Sequence, residues 1–223
     1  MVKLKKFLTK YKIFIEVFFL FTNLIISISM FIVAINSNKQ SELSNKLALW
    51  QTEPNFSASI NHHNNTTAGI LIENSNLDSL YKNYTSNLEV YISIENKKKS
   101  KLTLIPISDF SNVIINTNKK HGTIETYIGT THNYKVFSDL ISSYIASSYY
   151  NPDFEISLKA FVTINYINIL NEKIDIFLDV YSHKIITEKE YFSFKKLILK
   201  DINLSFYFLN GEKIISQLSP YLK

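Results

Sequence analysis

Between Phe14 and Ile35 the chain runs for 22 residues with 15 Leu, Ile, Phe or Val and one formal charge, Glu16, close to its start. A helix over that stretch is about 33 Å long, enough to cross a hydrocarbon core of about 30 Å. Each large apolar side chain favours insertion by roughly 0.3 to 0.6 kcal/mol, so together they outweigh Glu16 near the interface and Asn23 within the run. The sequence therefore predicts a transmembrane helix over 14–35. A secretory leader shares the basic start, but the run is long for a leader's apolar region and no A-x-A site follows it. It reads as an uncleaved signal-anchor.

The flanks set the orientation. Lys3, Lys5, Lys6, Lys10 and Lys12 precede the span with no acid among them, whereas residues 36–42 carry one Lys and one Glu. By the positive-inside rule the tail, 1–13, is cytoplasmic and everything beyond the span lies outside the plasma membrane. The formal charge of +5 largely belongs to that tail. Beyond residue 35, 19 Lys face 18 Asp and Glu. That balance leaves no electrostatic footprint for nucleic acid. The densest run, Lys97-Lys98-Lys99 with Lys101, lies between two strand patterns and reads as a solvated hairpin tip.

Residues 36–53 are mostly polar, with Leu43, Leu47 and Trp50 spaced i, i+4, i+7, which predicts an amphipathic juxtamembrane helix ending before Pro54. That stripe packs on the following domain or serves self-association.

After Pro54 the period changes. Phe56, Ala58 and Ile60 alternate, residues 61–67 read as a polar loop, and Ile70 to Asn74 form a short apolar run. Leu88, Val90, Ile92 and Ile94 alternate with polar residues, and Leu102 to Ile107, Val113 to Asn116 and Thr123 to Ile128 follow as strands. This first half reads as a β-meander. Phe137, Leu140, Ile141, Tyr144 and Ile145 recur at helical spacing within 134–149, and Asn151-Pro152 stops the run.

The strongest alternation is Phe154, Ile156, Leu158, Ala160, Val162, Ile164 and Tyr166, a period that a helix cannot produce. It predicts a long strand over 153–170, turning at Asn171-Glu172 into a second strand over 173–181. A further strand over 202–209 and a short helix over 212–218 close the reading. The expected fold is one N-terminal transmembrane helix plus a single β-rich domain over 54–223, an antiparallel β-sandwich-like or α+β arrangement with one amphipathic helix.

Chemistry is sparse. The chain has no cysteine, which excludes disulfides, thiolate nucleophiles and Cys-ligated metals, and its 4 glycines form no phosphate loop. His62, His63, His121, His132 and His183 show no metal-ligand spacing. No G-x-S-x-G marks a serine nucleophile. Asp175 and Asp179 share one face of a predicted strand with Phe177 and Tyr181, but four residues of strand separate them by about 13 Å, outside the window of about 5 to 9.5 Å for glycosidase carboxylate pairs. They read as a solvated face. The sequence thus assigns no catalytic, cofactor-binding or metal residue and implies no cofactor.

Phe14-Ile15-Glu16-Val17, opening an apolar helix that continues into an amphipathic segment and then a β-rich head, resembles the layout of a type IV pilin or pseudopilin. The resemblance implies an assembly subunit. It departs from the family at Tyr11, where a pilin carries its processing glycine.

The expectation is a single-pass surface protein whose extracytoplasmic domain acts in binding or structural association, with the membrane and a protein partner or a second copy as its contacts. The alternatives are a pilin-like or envelope-assembly subunit, and an extracytoplasmic hydrolase with a dispersed site.

Overall fold

The computed structural model describes residues 6, 9–63, 67–111, 113–128 and 131–222, so Lys3 and Lys5 lie outside the described residues. The chain divides into two units, Met1–Trp50 and Gln51–Lys223. Helix α1, Lys12–Thr52, is continuous over 41 residues, about 62 Å at 1.5 Å per residue, and none of its residues is buried. It stops where Pro54 removes an N–H and disfavours helical backbone at the residue before it. Within the apolar stretch the hydroxyls of Thr22, Ser27 and Ser29 donate to the carbonyls of Phe18, Asn23 and Ile25 at 2.8–2.9 Å, so the helix satisfies these three hydroxyls itself.

The described residues of the second unit form ten strands in two sheets. Strands β1 (Phe56–His63), β2 (Thr67–Asn74), β6 (Gly122–Ile128) and β5 (Val113–Asn116) form a four-stranded sheet in the order β1-β2-β6-β5. Strands β3 (Lys82–Asn96), β4 (Lys101–Ser108), β7 (Phe154–Ile167), β8 (Lys173–Asp179), β9 (Lys184–Ile186) and β10 (Leu204–Ser205) form a six-stranded sheet in the order β10-β4-β3-β7-β8-β9. Every named pair is antiparallel except β10 with β4. The first half is therefore no meander: its strands alternate between two sheets, which lets each sheet bury one apolar face against the other.

That shared interior is aliphatic. Ile92, Ile105, Ala160, Val162 and Ile164 from the six-stranded sheet and Ala58, Ile70 and Ile72 from the four-stranded sheet belong to one buried cluster. Helix α2 (Thr131–Ala146) contributes Leu140 and Tyr144, and helix α4 (Gly211–Leu218) contributes Ile214 and Leu218. The two helices meet at Gly211, where a Cβ would fall 2.6 Å from the Asp139 carbonyl, so only glycine permits the approach.

Of the loop expected over 61–67, residues 61–63 and 67 are strand, because backbone pairing continues to His62↔Ala68 and His63↔Thr67 whatever the side-chain polarity, and 64–66 lie outside the described residues. The strand expected over 202–209 shrinks to two residues beside β4, after which the chain turns at Phe206. The described residues of the domain form three α-helices and a 3₁₀ turn at Ser219–Tyr221 beyond α1, instead of one amphipathic helix and a short closing one. Helix α3, Glu188–Lys195, was not foreseen. Its start is fixed by a capping box: Thr187 Oγ1 accepts from Glu190 N at 3.2 Å, and Glu190 Oε2 accepts from Thr187 N at 2.7 Å. The lysine run does form an exposed tip, with Lys97 and Lys98 pairing to Glu155 and Asp153 at 2.8 and 2.5 Å.

Candidate functional site

Strand β4 pairs with β3 only from Val90 to Asn96, whereas β7 pairs with β3 along nearly its whole length. At Asp109 the backbone takes a positive φ of 59° and leaves the six-stranded sheet for β5. Residues 82–89 of β3 consequently have no strand on that side among the described residues. Beside this open edge lies a groove of about 400 Å³ lined by Ser86, Glu89, Tyr91, Asp109, Phe110 and Tyr127, among others.

On the inner side of the edge lies a buried carboxylate with no cation partner among the described residues. Glu125 lies on the interior face of the four-stranded sheet and is 7% exposed. Tyr84 donates to its Oε2 at 2.9 Å, and Ser86 donates to the same oxygen. Because Ser86 has one proton and gives it to Glu125, the 2.5 Å contact between Ser86 Oγ and the Tyr127 hydroxyl requires Tyr127 as donor. A directed chain, Tyr127 to Ser86 to Glu125, thus ties β6 to β3 across the two sheets. Burial, then the Glu125 charge, pushes the Tyr127 hydroxyl up to about 12 against the relief given by Ser86, so it stays a protonated donor at neutral pH.

On the outer side Glu89 is held differently. Lys195, from α3, contacts Glu89 Oε1 at 2.5 Å, while Tyr91 and Tyr191 donate to Glu89 Oε2 at 3.0 and 2.9 Å. Burial alone would lower the Lys195 ammonium, but its hydrogen bonds to Glu89 and Tyr91 overcompensate and hold it well above the usual lysine range. Burial and the nearby Glu89 push Tyr91 up to about 12. Glu89 is thereby neutralised. Asp109, by contrast, is exposed on the groove and makes no side-chain hydrogen bond or ion pair among the described residues.

The residues singled out in the sequence lie elsewhere. Leu43, Leu47 and Trp50 are all exposed on α1. Lys6, Lys10 and Lys12 are exposed near its start, with Lys12 set 3.8 Å from Glu16. The solvated face expected of Asp175 and Asp179 holds only for Asp175. Asp179 is 4% exposed and pairs with Lys159 at 3.0 Å, and Phe177 stacks on Tyr191 with centroids 4.5 Å apart, because α3 covers that end of the sheet. His121 is exposed, and His183 sets Nδ1 3.3 Å from the Ala58 carbonyl; the side chains of His62, His63 and His132 lie outside the described residues. No group of three potential metal ligands occurs among the described residues.

Sequence reasoning missed the groove. Thr187-x-x-Glu190 before an apolar run marks the helix that supplies Lys195 and Tyr191, and it was legible. Comparison with family models, with curated proteins and with solved structures finds no match.

Proposed function

We propose that the chain is a single-pass membrane protein with a cytoplasmic N-terminus, whose β-rich domain stands outside the membrane and acts by binding, without catalysis. The observation that carries this reading is the unburied apolar stretch of α1: Phe14, Phe19, Leu20, Phe31 and Val33 are each more than 60% exposed. The fourteen Leu, Ile, Phe and Val side chains exposed within 14–35 forgo about 20 kcal/mol in water even at about 1.5 kcal/mol each. That exceeds the roughly 5–15 kcal/mol by which a domain is stable. A bilayer removes that penalty, and the lysines before the span, with the balanced charge after it, favour the stated orientation.

Binding is favoured over turnover because the groove offers an open strand edge and hydroxyl groups already committed to Glu125. The test is a reporter that is active only outside the cytoplasm, fused after Lys223. High activity is expected, and a reporter active only when cytoplasmic contradicts the orientation.

A second reading rests on a separate observation, the exposure of Leu43, Leu47 and Trp50. In that reading the helix stripe joins copies into an envelope assembly. Cross-linking in membranes then yields oligomers that disappear in Leu43→Glu/Leu47→Glu. Monomer alone with the stripe intact rejects the assembly.

A further inference from the structure

The open edge of β3 and the groove beside it hold together a set of features that the binding reading leaves unassigned. A strand edge presents a row of N–H and C=O groups that need partners, and natural sheets cover or deform edges they do not use. Here the edge is deformed at one end only: a bulge between Lys82 and Thr85, with Asn83 at φ 56°, interrupts the ladder. Thr85 to Glu89 is regular strand, paired to β7 on one side through Thr85↔Asn165 to Glu89↔Phe161 and to no strand on the other. Among the described residues, no backbone–backbone hydrogen bond from a turn or loop reaches these five residues.

The position facing them is the continuation of the β4 row, vacated where the chain turns away at Asp109. Five residues of strand span about 17 Å.

We propose that this edge accepts an extended peptide segment of another protein, which adds to the six-stranded sheet antiparallel to β3 in the row that β4 leaves, with a basic side chain set against Asp109. Main-chain hydrogen bonds supply affinity in such strand addition, and alternate side chains supply specificity. The groove provides for both. Phe110, Leu88 and Ile114 line it for apolar side chains. Its charge is one-sided: of its two lining carboxylates Glu89 is neutralised by Lys195, Asp109 is not, and no lysine lines the groove. An acidic peptide would meet uncompensated negative charge, whereas a lysine or arginine would relieve it.

This inference rests on the reading of the domain as a binding module. The experiment uses the full chain in nanodiscs, where incorporation into the disc reports on the anchor independently of peptide binding. The probe is a fluorescein-labelled, end-blocked hexapeptide, Thr-Val-Lys-Val-Thr-Val, followed by anisotropy. Its controls are the same peptide with Lys replaced by Glu, and the same peptide N-methylated at alternate residues, in both registers.

Saturable binding of the lysine peptide is expected, at least tenfold weaker for the glutamate peptide. It should be lost in the register whose N-methyl groups face β3. Asp109→Asn should weaken the lysine peptide three- to tenfold and narrow its preference over the glutamate peptide, while the melting temperature stays unchanged. Absence of saturable binding at millimolar peptide, equal binding of both methylated registers, or an unchanged lysine preference in Asp109→Asn overturns the proposal. So does a disulfide-linked dimer of Asn87→Cys formed in place of peptide binding, since the occupant would then be a second copy.

Discussion

On its inner face the six-stranded sheet buries Ile92, Ile105, Ala160, Val162 and Ile164 against the other sheet; on its outer face Tyr91, Phe161, Phe177 and Tyr191 pack with Glu89, Lys195, Lys159 and Asp179 around them. The same strands supply both faces, one residue out of step. An aliphatic interior needs only volume and shape, so its residue pattern announces burial. The outer face is covered by one short helix, and its aromatics cover area while their polar neighbours stay at the margin. Lys159 lies over the Phe194 ring at 5.0 Å and Lys195 over the Tyr191 ring at 5.3 Å, so the ammonium groups keep company with ring faces as well as carboxylates. The contrast teaches that a face carrying charges at every other position can still be core if a helix arrives to pair them.

Substitutions on the two faces should separate in size. Ile164 is fully buried, and Ile164→Ala should destabilise the domain by about 3–4 kcal/mol through lost contact and a cavity that rigid strands cannot close. Chemical denaturation of the reconstituted chain measures it, and a loss under about 1 kcal/mol would mean the interior is loosely packed. Lys195→Ala should cost less, about 1–2 kcal/mol, because the pair is partly exposed and screened while Glu89 loses its cation. If Glu89→Gln/Lys195→Ala recovers most of that loss, the cost was the orphaned carboxylate. No recovery would show that the lysine stem's packing dominates. The smallest effect belongs to Thr187→Ala, about 1 kcal/mol, since it removes the cap of α3 and leaves the aromatic contacts in place.

The faces also share an alkaline limit. Tyr91 on the outer face and Tyr127 at the inner tie both ionise near 12 in the fold and near 10 when unfolded. A group whose pKa is raised by folding stabilises fully below its unfolded value and loses that contribution as pH climbs through the folded one. Stability from these two hydroxyls should therefore hold to about pH 9 and fall between about pH 10 and 12. Denaturation across that range is the check, and Tyr127→Phe should shallow the fall.

Much of this architecture is legible in the residues. Seven apolar positions at period two announce β7, helical spacing announces α2, and Asn210-Gly211 places the start of α4. The sorting of strands into two sheets is not legible, because register and sheet membership depend on contacts between distant segments. Asp179 was misread as solvated because the pattern of one strand cannot reveal what α3 lays over it. The groove was invisible for a related reason: an open edge is defined by where β4 departs, and only the left-handed backbone at Asp109 marks that point.

The central claim is that α1 lives in lipid. Cells expressing the full chain, lysed and extracted with alkaline carbonate, decide it most directly. The account predicts that the chain stays in the membrane pellet and that detergent alone releases it. Recovery in the carbonate supernatant, with the 14–35 segment intact by mass, would contradict it.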